Sequence, residues 1–268
     1  MTEISLARVN QLSSSVMRDS PKAGPPVVAW LFGLQLCLSS LFLPAAGCSS
    51  EPDSGTGERA VAGGLSLDEF LAGGFFNGVP YAESVAYGQA AVPELIQVLH
   101  NPARQQYWSV AATMLAMIAD PEGVNAVVSF IERPPEPAIT PEYRWARSNA
   151  VLALGYAANN QRSMQALNYL VESLEPGAWG ARGIQTAPDA ETGDYETETG
   201  EGLTESAVLG LALSGTMEGK AAIEAYRNSP VRTVQQREMA DAALVEHARV
   251  VELGLVEYDR RRHSHDFN

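Results

Sequence analysis

Cysteine and histidine are scarce in this chain, with two of the former and four of the latter in 268 residues. Two cysteines cannot build a disulfide framework, so any fold must rest on a packed core. Four histidines leave a serine, cysteine or threonine nucleophile with few bases to activate it. His100 falls at the end of a predicted helix, where the carbonyl dipoles favour it, and His247 falls inside one, so both read as structural. No Gly-x-Ser-x-Gly, His-Glu-x-x-His or phosphate-binding glycine loop occurs. Catalysis is not expected and no cofactor is called for. Positive charge is the next shortage: 18 Lys and Arg stand against 32 Asp and Glu, a formal net charge of −14. Nucleic-acid binding needs clustered cations and is excluded as a general activity. The length allows one large or two small domains.

Long apolar runs are missing too, apart from Val27–Leu43, a stretch of about 17 residues that sits at the short end of the membrane-spanning range. Arg18 and Lys22 precede it, and Pro44-Ala45-Ala46-Gly47-Cys48-Ser49-Ser50 follows. A positive leader, an apolar centre and small residues at a cleavage point predict a secretory signal over residues 1–47, starting at Met1 or Met17. The Ala-Ala-Gly-Cys ending resembles the lipobox of bacterial lipoproteins, although Ala45 stands where leucine is usual. That resemblance implies that Cys48 is the lipid attachment point and the mature N-terminus. Cys37 would then leave with the signal, so the mature chain would form no disulfide. An uncleaved anchor and a plain cleaved signal remain the alternatives. Ser49 after the cysteine implies the outer rather than the inner membrane. Arg8, Arg18 and Lys22 against Glu3 and Asp19 give residues 1–47 a charge of +1, leaving −15 for the remainder. Residues 48–64 have the composition of a flexible linker.

Beyond the linker the chain is punctuated into helices. Residues 65–81 read as an N-terminal cap, with a short helix over Ser66–Leu71 and a Gly- and Phe-rich break after it. Gln106–Glu132 reads as two amphipathic helices folded back at Ala119-Asp120-Pro121, with Asp120 as cap and Pro121 in first position. Such a hairpin is apolar on both flanks and needs neighbours like itself. The pattern Ala-x-x-x-Leu recurs at Ala111/Leu115, Ala150/Leu154, Ala207/Leu211 and Ala240/Leu244, with spacings of 39, 57 and 33 residues. An apolar residue of a second helix follows each of the first three: Val127, Leu167 and Ile223. Residues 82–258 thereby resemble the HEAT-like repeat family. The resemblance implies an all-α fold, an α-solenoid of antiparallel helix hairpins with about four repeats; an ordinary helical bundle is the plainer alternative.

In HEAT-like arrays the helices that line the concave side leave their early turns partly exposed. Here those turns carry Tyr107 and Trp108, then Tyr143, Arg144, Trp145 and Arg147, then Arg237. Trp, Tyr and Arg dominate binding hot spots, which makes these seven the candidate partner-binding residues. The competing reading is that the tryptophans seal the seams between repeats. An acidic insert at 177–202 interrupts the array, and Asp189, Glu191, Asp194 and Glu196 offer oxygens to Ca²⁺ without EF-hand spacing. The tail, residues 259–268, holds Arg260, Arg261, Arg262, His263, His265 and Asp266, and nothing in the sequence fixes it, so no metal site is expected there. These readings converge on a lipid-anchored cell-envelope protein with a non-catalytic scaffold that binds another envelope protein. A bilin-lyase-like HEAT protein and a Ca²⁺- or ligand-binding lipoprotein are the alternatives; a cleaved signal argues against the first.

Overall fold

The computed structural model describes residues 64–73, 75, 78–134, 140–184 and 200–264. The signal-like window, Cys48, the linker, most of the proline-rich connection, residues 185–199 of the acidic insert, His265 and Asp266 lie outside them. Within the described residues the protein is all-helical, without strands. The helices are α1 (Leu67–Leu71), α2 (Tyr81–Ala86), α3 (Val92–His100), α4 (Trp108–Ile118), α5 (Pro121–Glu132) and α6 (Pro141–Asn160). They continue with α7 (Met164–Glu172), α8 (Ala178–Ala181), α9 (Gly200–Ser214), α10 (Met217–Asn228) and α11 (Val234–Ser264). None of the described helices is long and apolar enough to cross a membrane.

The packing follows chain order. Helix α4 packs on α6, α6 on α9, and α9 on α11, while α5, α7 and α10 lie against this row and α2 and α3 against its first member. The four Ala-x-x-x-Leu alanines, Ala111, Ala150, Ala207 and Ala240, are all fully buried in this row. Small residues let the helices approach closely. A Cβ on Gly155 of α6 would lie 2.1 Å from the carbonyl oxygen of Gly210 in α9, so the two backbones touch there.

The three turns that lead into α5, α7 and α10 share one backbone design. Ala119, Arg162 and Gly215 each adopt a positive φ, of 59°, 49° and 58°. The next residue (Asp120, Ser163 or Thr216) is extended and caps the new helix through its side chain, accepting from the amide of Glu122, Ala166 or Gly219. Three residues past each cap comes glycine or alanine: Gly123, Ala166, Gly219. A Cβ on Gly219 would meet the Leu211 carbonyl oxygen at 2.9 Å, which explains why a larger residue is not used there.

Arginines in the connections bind the open ends of earlier helices. Arg133 donates to the Leu99 carbonyl at 2.9 Å and lies 4.9 Å from the ring centres of both Trp108 and Phe130. Arg182 donates to the Tyr169 carbonyl at 3.3 Å and lies 4.0 Å from the Tyr169 ring. Arg232 donates to the Leu174 carbonyl at 2.8 Å and lies 4.1 Å from the Tyr226 ring. Leu99 lies in the last turn of α3, where carbonyls lack intrahelical donors and a cation satisfies both the hydrogen bond and the dipole. The Tyr169 carbonyl also accepts from Ser173, and Leu174 lies two residues past the end of α7.

One expected boundary holds and one moves. The capping box of α1 is present, with Ser66 and Glu69 bonded reciprocally. The last helix, expected to end at Tyr258, instead runs to Ser264, with a sharp break at Gly254 (φ 73°, ψ 160°). The first residues of the supposed free tail are therefore helical, because Asp259 and His263 find partners at the other end of the chain.

Candidate functional site

The seven candidate partner-binding residues separate into two groups. Trp108, Tyr143 and Arg147 are buried at the junction of α4, α5 and α6. The Trp108 indole N–H donates to the Val98 carbonyl at 2.9 Å, and the ring meets Phe130 and Tyr143 edge-on at 5.6 and 5.9 Å. Arg147 is 1% exposed; its guanidinium donates to the Arg133 carbonyl at 2.9 Å and to the Tyr143 hydroxyl at 2.5 Å. These three side chains seal the seam and are not surface contacts. Buried arginine is tolerated here because its protons meet oxygens and its plane meets an aromatic face.

Tyr107 and Arg144 are half-buried, and Trp145 and Arg237 are exposed. Tyr107 precedes α4 and carries the Arg104 guanidinium 5.3 Å from its ring. Arg237 stands apart on α11, beside a shallow open depression that it shares with Arg227, Asn228 and Asp241. The exposed aromatic that matters is Trp145, 44% exposed on the first turn of α6. Residues 145, 149, 152 and 156 share one side of a helix of this pitch. That side of α6 carries Trp145, Asn149, Leu152 and Tyr156; Asn149 donates to the Ser109 hydroxyl on α4 at 2.7 Å.

At its far end the same face is closed. Tyr156 is 2% exposed and stacks on Tyr81 of α2, with ring centres 5.8 Å apart. The end of α11 arrives from the other side. The Asp259 carboxylate accepts the Tyr81 amide N–H at 2.9 Å, and His263 Nε2 lies 3.0 Å from the Gly78 carbonyl. The other ring nitrogen of His263 is 2.9 Å from the Asp259 carbonyl oxygen and 3.3 Å from its carboxylate. Arg262 bonds to Tyr156. Burial pushes the Asp259 carboxyl above its ordinary range, although the Tyr81 amide, His263 and Arg262 pull it down. Its other oxygen, Oδ1, is buried without a hydrogen bond. Tyr156 is likewise pushed up, chiefly by burial. None of these residues was singled out as a site residue from sequence except as a free basic tail. The one local signal was the i, i+4 spacing of Asp259 and His263.

A second buried carboxyl lies on α9. Glu205 is 5% exposed, and burial, followed by the charge of Glu201 one turn away, pushes it up to about 7. Among the described residues no group of three or more His, Cys, Asp or Glu could hold a metal ion. His247 is buried, with Nε2 2.9 Å from the Thr216 carbonyl, a packing role. Compared with family models, with curated proteins and with solved structures, the chain finds no match.

Proposed function

We propose that the chain is a lipid-anchored protein of the bacterial cell envelope whose helical domain is a HEAT-like α-solenoid of about four repeats. In this reading it is a non-catalytic scaffold or adaptor for another envelope protein. The observation that carries the repeat architecture is the thrice-repeated turn, a left-handed residue followed by a capping residue, at Ala119-Asp120, Arg162-Ser163 and Gly215-Thr216. Unrelated side chains adopting one backbone geometry at corresponding places favour a repeated unit over an irregular bundle. Scaffold function is supported by the α6 face, where the Trp145 side chain is 44% exposed. Lipid on Cys48 would hold this face near membrane partners and raise their effective concentration.

The test has two steps. Intact mass and detergent partitioning of the full chain expressed in a bacterial host are compared with those of a Cys48→Ser variant. A mature wild type that begins at Cys48, carries acyl mass and enters detergent, beside a variant that does not, supports the anchor. Retention of residues 17–47, or release without lipid, sinks it. Crosslinking in the envelope with Trp145→Ala as control then tests the face; equal capture by wild type and variant removes Trp145 from the interface.

A further inference from the structure

We propose that residues 255–264 form a strap, hinged at Gly254, that closes over the far half of the α6 face and controls access to Tyr81 and Tyr156. The kind of partner that would reach those tyrosines rests on the scaffold reading above, but the closure does not.

Three features lead to it. First, Trp145 and Tyr156 lie on one side of α6, about 16 Å apart along its axis, yet one is 44% exposed and the other 2%. What closes the Tyr156 end is cover by α2 and the end of α11, through the Tyr81 ring and Arg262.

Second, the hinge is a conformational one. Gly254 holds φ 73° and ψ 160°, a combination open essentially to glycine alone. A Cβ at that position would meet nothing within 4 Å, so glycine is required by the backbone direction and not by crowding. An uninterrupted α11 would continue straight and leave the α6 face open.

Third, the strap is clasped by polar contacts at its end and not sealed by a broad apolar seam. Asp259 takes the Tyr81 amide, His263 lies against the Gly78 carbonyl, and the Arg262 guanidinium lies over Gly78, where a Cβ would come 2.0 Å from Nη2. Leu255 and Tyr258 are buried, but Val256 is 60% exposed. The clasp is also incomplete, since the buried Asp259 Oδ1 has no hydrogen bond. A buried acceptor left without a donor weakens the closed state against an open one in which water supplies that donor. Segments held by few apolar contacts open below the global unfolding free energy. The strap meets that description and the α4–α6–α9 row does not.

Amide hydrogen exchange on the full chain tests this. The Tyr81 amide is a direct reporter, because its bond is to Asp259 on the strap. In the wild type, residue 81 and residues 255–264 should exchange together, at least about tenfold faster than the centre of α6. Asp259→Ala and, independently, Gly254→Ala should each speed that pair by about a further tenfold and make Tyr156 reactive to a tyrosine-labelling reagent, with α4, α6 and α9 unchanged. Exchange of the strap at the rate of α6 in the wild type overturns the proposal without any variant. So does acceleration of all helices together in the variants, which would make the segment part of the core. The experiment contains no partner, so its failure leaves the scaffold reading standing, and failure to capture a partner leaves the strap standing.

Discussion

Replacing Gly155 by alanine probes the seam on which the helical row depends. The new Cβ would lie 2.1 Å from the Gly210 carbonyl oxygen, 2.7 Å from its carbon and 2.9 Å from its Cα. All three are backbone atoms, so no rotamer change relieves the contact, and α9 must move away from α6 as a body. Overpacking a core costs about 1–3 kcal/mol, and a rigid backbone obstacle belongs at the upper end of that range. Alanine returns about 1 kcal/mol of helix propensity over glycine. The net loss is therefore about 2 kcal/mol, equivalent to a Tm about 4–8 °C lower for a domain of this size. Two further glycines calibrate the claim. At Gly210 a Cβ would meet the Leu152 carbonyl oxygen at 3.0 Å and the two Leu170 methyls at 3.1 and 3.2 Å, and the leucine can give way. At Gly180 a Cβ would meet nothing within 4 Å, so alanine there should be neutral or slightly stabilising. Thermal unfolding followed by far-ultraviolet circular dichroism should rank Gly155→Ala below Gly210→Ala, and Gly210→Ala below Gly180→Ala. A Gly155→Ala protein that melts at or above Gly180→Ala refutes backbone contact between α6 and α9.

Other perturbations test the turns, the seams and the buried acid. Arg162 is exposed with a positive φ, so Arg162→Gly should stabilise the protein by up to about 1 kcal/mol, read as a higher denaturant midpoint at unchanged slope. Arg147→Ala removes one donor from the Tyr143 hydroxyl and one from the Arg133 carbonyl, which still bond each other, and empties a fully buried volume, at a cost of about 3 kcal/mol. Arg147→Met loses the same donors but refills the volume and should cost clearly less. Glu205 is raised from 4.5 to about 7, so the folded protein binds its proton more tightly than the unfolded chain does. Stability from this group is therefore complete below about pH 4.5 and is lost as pH rises to about 7, a penalty of about 3 kcal/mol at most. Glu205→Gln should match the wild type near pH 4.5 and exceed it at pH 8; equal midpoints at both would refute the shift.

How far the fold was legible depended on whether its cause lies within a few residues of sequence. The helices of the row announced themselves because their alanines and leucines recur at helical spacing, and the entry to α5 was plain from Asp120-Pro121. The entries to α7 and α10 use the same backbone, but Arg162-Ser163 and Gly215-Thr216 look nothing like Ala119-Asp120. A positive φ leaves a mark in sequence only where glycine supplies it, and here that is one turn in three. Trp108, Tyr143 and Arg147 were open to two readings for a different reason. The large, amphipathic side chains that anchor interfaces are the ones that seal helix junctions, and only knowing which flank α5 covers separates the two uses.

The end of α11 shows the limit most clearly. Arg260 and Arg261 both pair with Glu257 on their own helix, as a run of tail charges is expected to do. Asp259 and His263, within the same run, meet the Tyr81 amide and the Gly78 carbonyl, 178 and 185 residues away in sequence. Their partners are backbone atoms, which every residue but proline offers alike as donor and acceptor. No pattern of side chains can therefore encode that contact in a single sequence, and a tail was the only reading its residue types allowed. Gly254 is the one position where the closure does touch sequence. A lone glycine inside an otherwise helical register is weak evidence for a break on its own. It becomes decisive once the φ and ψ it holds are known, because no other residue holds them without strain.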